Sequence, residues 1–455
     1  MSHPLINPIF QDLCSRVVTL MEHLKVPGVS IGVWHAGKEQ TAGFGVTHID
    51  YPQPVTPETL FQIGSISKTF VGTAVMRLVE QGKVSLDAPV KTYVPELKLQ
   101  DAQAEAKVSL RHLLAHTAGW LGDYFNDFGF GDDAVATYVQ HMADLPQWTP
   151  LGALFSYNNA GFSLIGRVIE KVTQQSFEDA MQQLVFDPLG LNRAFFFPWD
   201  VMLHPFAVGH TASYSDDQPV KVAAPWAIGR AGHPMGGVVT NVLSLLRYAR
   251  FHMSDGEGVL SSESIHAMQQ PQVQSNLAGE WRGLSWMLRD VGPARIVSHG
   301  GATHGQTATF QICPQHRFAI TLLTNSDRGG ELNGAIVKEA LKLYLNVEVT
   351  QPAYVEMGAS ALAEFAGSYR APENDLVLAT DDAGGLWMDI IPRGGFPKPD
   401  SPPGPKAPPC HIRFASRNLA YVLDGPAKGG TVEILRDEAG GIAWVRAGGR
   451  VHKRM

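Results

Sequence analysis

The chain has 455 residues, which suits a large domain followed by a smaller one. Hydrophobic residues make up 44%, ample for a sizeable core, and the net charge of −7 disfavours a general nucleic-acid or anionic-membrane binder. Cys14, Cys313 and Cys410 are scattered, without metal spacing or a disulfide framework, and no run is long and apolar enough to span a bilayer. Met1–Pro8 lacks the basic and apolar regions of a signal peptide, so the expectation is a reduced, cytoplasmic protein.

In chain order, Phe10, Leu13, Val17, Leu20, Met21 and Leu24 fall at helical spacing, with Pro27-Gly28 beyond. Val29–Trp34 and Gln40–Val46 read as a hairpin around His35–Lys38. A helix over Ser65–Gln81 turns Phe70, Ala74, Val75, Leu78 and Val79 inward and stops at Gly82. Helical pattern returns at Ala160–Val172, Phe177–Leu184 and Asn241–Phe251. Ala294–Ser298, Thr307–Cys313 and Phe318–Asn325 read as strands, the last two pairing across Pro314–Arg317, and Ile336–Leu345 closes the region as a helix. Strands at both ends with helices between fit an antiparallel sheet flanked by helices.

From about Thr350 the texture changes. Gly367–Arg370, Leu376–Ala379, Leu386–Ile391, Ile412–Ala415, Ala420–Leu423, Thr431–Leu435 and Ile442–Arg446 are short strand candidates separated by glycine-rich turns. Eight prolines between Pro392 and Pro409 exclude helix or strand there and favour a stiff, extended arm. The division is therefore 1–349 and 350–455, the second a small antiparallel β domain interrupted by the proline-rich loop 392–409.

Chemistry concentrates at Ser65-Ile66-Ser67-Lys68. Side chains three apart share a helix face, so the Ser65 hydroxyl and the Lys68 amine sit together. The helix N-terminus aims free N–H groups and its positive dipole end at Ser65. That combination of base and field is what a serine nucleophile needs. Alone, a serine in such a tetrapeptide is more often a helix N-cap than a nucleophile. Tyr157-Asn158-Asn159 follows the turn Pro150-Leu151-Gly152, and His299-Gly300-Gly301 follows the β-rich run Ala294–Ser298.

These three elements, in this order, resemble the serine β-lactamase and penicillin-binding-protein superfamily, and most its class C, esterase and D-aminopeptidase branch. Leu113–Gly119, Asp187–Leu191, Ala231-Gly232 and Gly283–Trp286 fit further family landmarks, and the match runs from about Val26 to Asn325. The resemblance implies the β-lactamase-like α+β fold: an antiparallel sheet flanked by helices, with an all-helical subdomain. The appended strands resemble a lipocalin-like barrel. It implies Ser65 as the nucleophile, Lys68 as a buried amine on Ser65 Oγ, and Tyr157 as a proton-transfer partner whose phenolate the lysine favours. Which of Lys68 and Tyr157 is the base stays open. Asn159 would hold Lys68 and the substrate amide. His299, Gly300 and Gly301 would line the substrate edge, and the N–H groups of Ser65 and Ala302 would form the oxyanion hole. His299 departs from the lysine common in β-lactamases, and an imidazole anchors a carboxylate less firmly.

The expectation is a serine hydrolase working through an acyl-Ser65 intermediate without metal or other cofactor. A small-peptide or D-aminoacyl peptidase or amidase stands slightly ahead of a carboxylesterase or acyltransferase. The rival from another class is a non-catalytic binding protein keeping the fold. The expected partner is a small-molecule or short-peptide substrate, neither nucleic acid nor membrane; oligomeric state is not legible. By analogy with D-aminopeptidases, Arg393–Pro408 is expected to reach into the cleft; on composition alone a disordered surface insertion is the equal alternative.

Overall fold

The structure is a computed structural model that describes residues 7–212, 218–348, 352–380, 385–396, 398 and 400–455. The expected boundary at 349/350, most of Met1–Pro8, Gly384 and two of the loop prolines, Pro397 and Pro399, lie outside the described residues.

Eight antiparallel strands form the main sheet. Their order is Lys38–Gly45, Gly28–His35, Phe318–Thr324, Gln306–Cys313, Ala294–Thr303, Met287–Val291, Glu280–Arg282 and Val273–Gln274. The two ends of the catalytic region thus meet, Val29 opposite Thr324. Strand alternation assigns the faces. Val29, Ile31, Val33, Ile320 and Leu322 pack under helices Pro8–Leu24 and Gly329–Leu345. Trp34, Ala319 and Leu323 face the helical region, where Leu246 of helix Val242–His252 lies against Gly32. Each fully buried aliphatic side chain of this kind contributes about 1.5–3 kcal/mol. The closing helix starts seven residues before the expected Ile336 because, of the large apolar side chains, the stretch Gly329–Ala335 turns only Leu332 inward, too sparse a pattern to read.

The helix expected at Ser65 begins differently. Gly64–Ile66 is a 3₁₀ turn, and the α-helix proper is Ser67–Glu80. Gly64 has φ of +51°, and a Cβ there would stand 2.6 Å from Ala302 O. Gly301 is equally constrained, since its Cβ would stand 1.8 Å from Ile63 O. Two glycines therefore press the Ser65 turn against the His299 strand.

The C-terminal strands form a closed eight-stranded antiparallel barrel. Seven follow the expected runs. The eighth, Arg450–Arg454, closes the barrel by pairing Arg454 with Tyr369, leaving no open edge. Its sequence, Arg-Val-His-Lys-Arg, hides it from a hydrophobic reading. Phe365, Tyr369, Met388, Phe414, Val432 and Val445 pack inside. The barrel docks by its last hairpin: Tyr157 N–H donates to Gly449 O (2.9 Å), and Arg446 Nη1 donates to Phe155 O (3.0 Å).

Candidate active site

Lys68 is fully buried one helical turn beyond Ser65. Its Nζ lies 3.1 Å from Ser65 Oγ and 2.7 Å from Asn159 Oδ1, and it also bonds Met235 O. The Tyr157 and Phe162 rings stand 5.0 and 5.2 Å from it. Burial drives the Lys68 pKa far below the ordinary lysine value; the Arg450 charge adds to this and Asp123 opposes it. An amine so placed is a proton acceptor held on the serine hydroxyl.

Tyr157 behaves differently from the expectation that its phenolate is favoured. Burial pushes its pKa up, and the nearby Ser65 hydroxyl, Arg450 and Arg282 only partly offset that. Burial thus favours the neutral phenol, whose buried hydroxyl lies beside Ser65. The ring is fixed by His116, stacked at 4.4 Å. His116 Nδ1 accepts from Asn158 N–H (2.9 Å), so the Leu113–Gly119 landmark serves to position Tyr157.

Asn159 is oriented from both ends. Its Oδ1 accepts from Lys68, and its Nδ2 donates to Asp123 Oδ1 (2.7 Å). Asp123 in turn accepts two hydrogen bonds from Arg450, Nε to Oδ2 at 2.6 Å and Nη2 to Oδ1 at 3.2 Å. Arg450 also lies 5.1 Å over the Tyr157 ring and 3.5 Å from Glu373. The barrel thus reaches the nucleophile through Arg450, Asp123, Asn159 and Lys68.

His299 is buried, and its Nδ1 donates to Gly300 O (2.6 Å) because a carbonyl only accepts. Burial, reinforced by Lys68, pushes its pKa down to about 3. It is therefore a neutral ring presenting Nε2 as an acceptor. Ser65, Tyr157, Asn159, His299, Gly300, Gly301 and Ala302 all border one cleft of about 800 Å³, with Lys68 beneath. Tyr124 and Phe125, and Phe396 of the proline-rich loop, form its aromatic side. Phe396 meets Phe125 at 4.9 Å, and Lys398 pairs with Asp127 at 3.2 Å. Asp123, Arg282 and Arg450 went unnoticed in the sequence; none stands in a recognisable spacing.

Fold and site define the class, and comparison with known proteins agrees. The Beta-lactamase family model matches residues 15–342, and the chain belongs to that family, as a serine hydrolase of β-lactamase and penicillin-binding-protein type. Penicillin-binding protein 4 of Amycolatopsis lactamdurans is 33% identical over 312 residues, covering 66% of this chain and 81% of that protein. A crystal structure of SurE with D-Leu superimposes with TM-score 0.74 at 24% identity, covering 98% of this chain and 99% of that one. The class C β-lactamase of Rhodobacter sphaeroides gives TM-score 0.60 at 22% identity, covering 73% of this chain and 99% of that one. No helix among the described residues is long and apolar enough to cross a membrane.

Proposed function

We propose that this hydrolase acts on small peptides or D-aminoacyl amides through an acyl-Ser65 intermediate. The observation that carries the proposal is the buried Lys68 amine, 3.1 Å from Ser65 Oγ with its pKa forced far down. Neutral Lys68 takes the Ser65 proton as Oγ attacks the substrate carbonyl. Neutral Tyr157 passes a proton to the departing amine as the C–N bond breaks, and receives one from Lys68. Water, activated by the same pair, then cleaves the Ser65 ester. The N–H groups of Ser65 and Ala302 hold the oxyanion, donors worth roughly 3 kcal/mol each. Asn159, Gly300 and Gly301 hold the acyl-side amide along the strand edge, and the neutral His299 Nε2 accepts from a substrate N–H. No metal or cofactor enters these steps.

A cleft of this volume suits a short peptide. A structural neighbour described with D-Leu favours D-residues in the substrate. Three unbridged cysteines favour a cytoplasmic, reducing location. Carboxylesterase or acyltransferase chemistry uses the same intermediate and differs only in leaving group or acceptor. Turnover of D- and L-aminoacyl anilides, p-nitrophenyl esters and nitrocefin tests the proposal. D-aminoacyl anilides are expected to exceed nitrocefin by a wide margin, since His299 supplies no cation. Nitrocefin as the best substrate overturns the peptide reading. Absence of turnover on every compound favours the non-catalytic binding protein.

A further inference from the structure

A neutral amine carries two N–H donors and one lone pair. Lys68 directs both donors at groups that can only accept, Asn159 Oδ1 (2.7 Å) and the Met235 carbonyl. The lone pair is thereby left for Ser65 Oγ, 3.1 Å away. Asp123 holds Asn159 through its Nδ2. What holds Met235 lies deeper in the lobe. Met235 belongs to the short helix His233–Gly236, which follows the 3₁₀ turn Arg230–Gly232. Ser163 Oγ donates to Ala231 O (2.7 Å). Pro234 presses on helix Ala160–Thr173 so closely that a Cβ at Gly166 would stand 2.4 Å from its Cγ. His233 is buried, and its Nδ1 donates to the buried carboxylate of Glu178 on helix Phe177–Met181 (2.6 Å). Its Nε2, also buried, has no hydrogen-bond partner among the described residues, so the ring is tethered through Nδ1. Arg230 grips the same carboxylate through Nε (3.2 Å) and Nη2 (3.0 Å), and its Nη1 donates to Phe130 O (3.0 Å). Neither Glu178 nor His233 borders the cleft.

We propose that His233 is a positioning residue: its bond to Glu178 fixes the Met235 carbonyl and so aims the Lys68 lone pair at Ser65. This rests on Lys68 as the proton acceptor. Met235 lies in the same turn of helix as His233, so a side chain released at His233 lets the Met235 carbonyl tilt away. A Lys68 N–H that loses its acceptor turns to the next one in reach, the Ser65 oxygen, and the lone pair then points elsewhere. Misplacing a reacting group by about 1 Å can cost roughly 10²-fold in rate. Glu178 suits the anchoring role because Arg230 keeps its carboxylate paired and in place whatever stands at position 233.

The test compares three variants of the full chain. His233→Asn places an amide N–H where Nδ1 stood, and the isosteric His233→Leu has no donor. His233→Phe also lacks a donor but keeps a ring against Phe196, which the imidazole stacks on at 5.3 Å. Each is labelled with a fluorophosphonate probe at rising concentration and followed by intact mass, with thermal melts to confirm folding. His233→Leu and His233→Phe are expected to lower the limiting labelling rate about tenfold at an unchanged half-saturating probe concentration, with His233→Asn within about threefold of wild type. A merely structural histidine gives the reverse order, with the ring-bearing Phe variant ahead of Asn. That order, an equal loss in the Asn and Leu variants, or a loss confined to the half-saturating concentration overturns the proposal. Should His233→Phe not fold, the Asn and Leu pair decides. Lys68→Met, run alongside, separates the two readings. Labelled at the wild-type rate, it overturns Lys68 as the proton acceptor. Labelled slowly while His233→Leu keeps the wild-type rate, it leaves Lys68 standing and overturns the tether.

Discussion

The helical lobe and the barrel contribute to one cleft in opposite ways. The lobe supplies the groups nearest the chemistry, Ser65, Lys68, Tyr157 and Asn159, all within short local motifs. The barrel supplies Arg450, which holds Asp123 and through it Asn159, while its proline-rich loop supplies Phe396. The first set is built by a helix N-terminus and a turn, the second by tertiary docking. The lesson is that an appended domain can tune a site whose reactive core it does not contain.

Breaking the lobe's part gives the largest effect. Lys68→Met is expected to reduce turnover by roughly 10² to 10⁴-fold, the usual worth of a positioned proton carrier. Its melting temperature stays level or rises, because a buried amine is replaced by an apolar chain of similar length. Steady-state kinetics and thermal melts check both; retained turnover places the base elsewhere.

Breaking the barrel's part comes next. Arg450→Gln strands the buried Asp123 carboxylate, which costs about 3 kcal/mol. Turnover falls roughly tenfold as Asn159 loses its support. The Asp123→Asn, Arg450→Gln double variant recovers most of the stability in urea melts. If the single variant melts and turns over like the wild type, the barrel is a bystander.

The loop separates the regions more gently. Replacing 394–408 with a short Gly/Ser turn, or Phe396→Ala alone, removes part of the aromatic wall against Phe125. The ratio of kcat/KM for large over small acyl groups is expected to change by several-fold, roughly the worth of one buried methylene, about 0.8 kcal/mol. An unchanged profile makes the loop a surface insertion.

The smallest effect is on pH. Lys68 works as a neutral amine, so activity falls as pH drops through its folded pKa. Asp123 raises that pKa and Arg450 lowers it. Asp123→Asn therefore moves the acidic limb of kcat/KM to lower pH, and Arg450→Gln moves it to higher pH. Shifts in the same direction contradict the electrostatic link between barrel and lobe.

What was legible follows the same division. Ser65 and Lys68 are three residues apart, and the hydrophobic period of Phe70–Leu78 marks their helix. Tyr157 and Asn159 precede a strongly amphipathic helix, Ala160–Thr173. The barrel strands show alternation until the last, where Arg450–Arg454 carries charge on a strand fixed by closure rather than by apolar content. Arg450 was invisible for that reason, and Asp123 because it meets Arg450 only across 327 positions of sequence. Arg282 borders the cleft and lies over the Phe155 ring, a contact that carries no local pattern in the sequence. For Tyr157, the nearby cation that favours a phenolate is readable from the motif, while the burial that opposes it is not.

The most direct test of the central claim, acyl transfer on Ser65, is intact-mass analysis after exposure to a fluorophosphonate probe. The wild type is expected to gain one adduct, mapped by peptide digestion to Ser65, with Lys68→Met labelled far more slowly and Ser65→Ala not at all. Equal labelling of wild type and Ser65→Ala, or an adduct mapped to another residue, would contradict it.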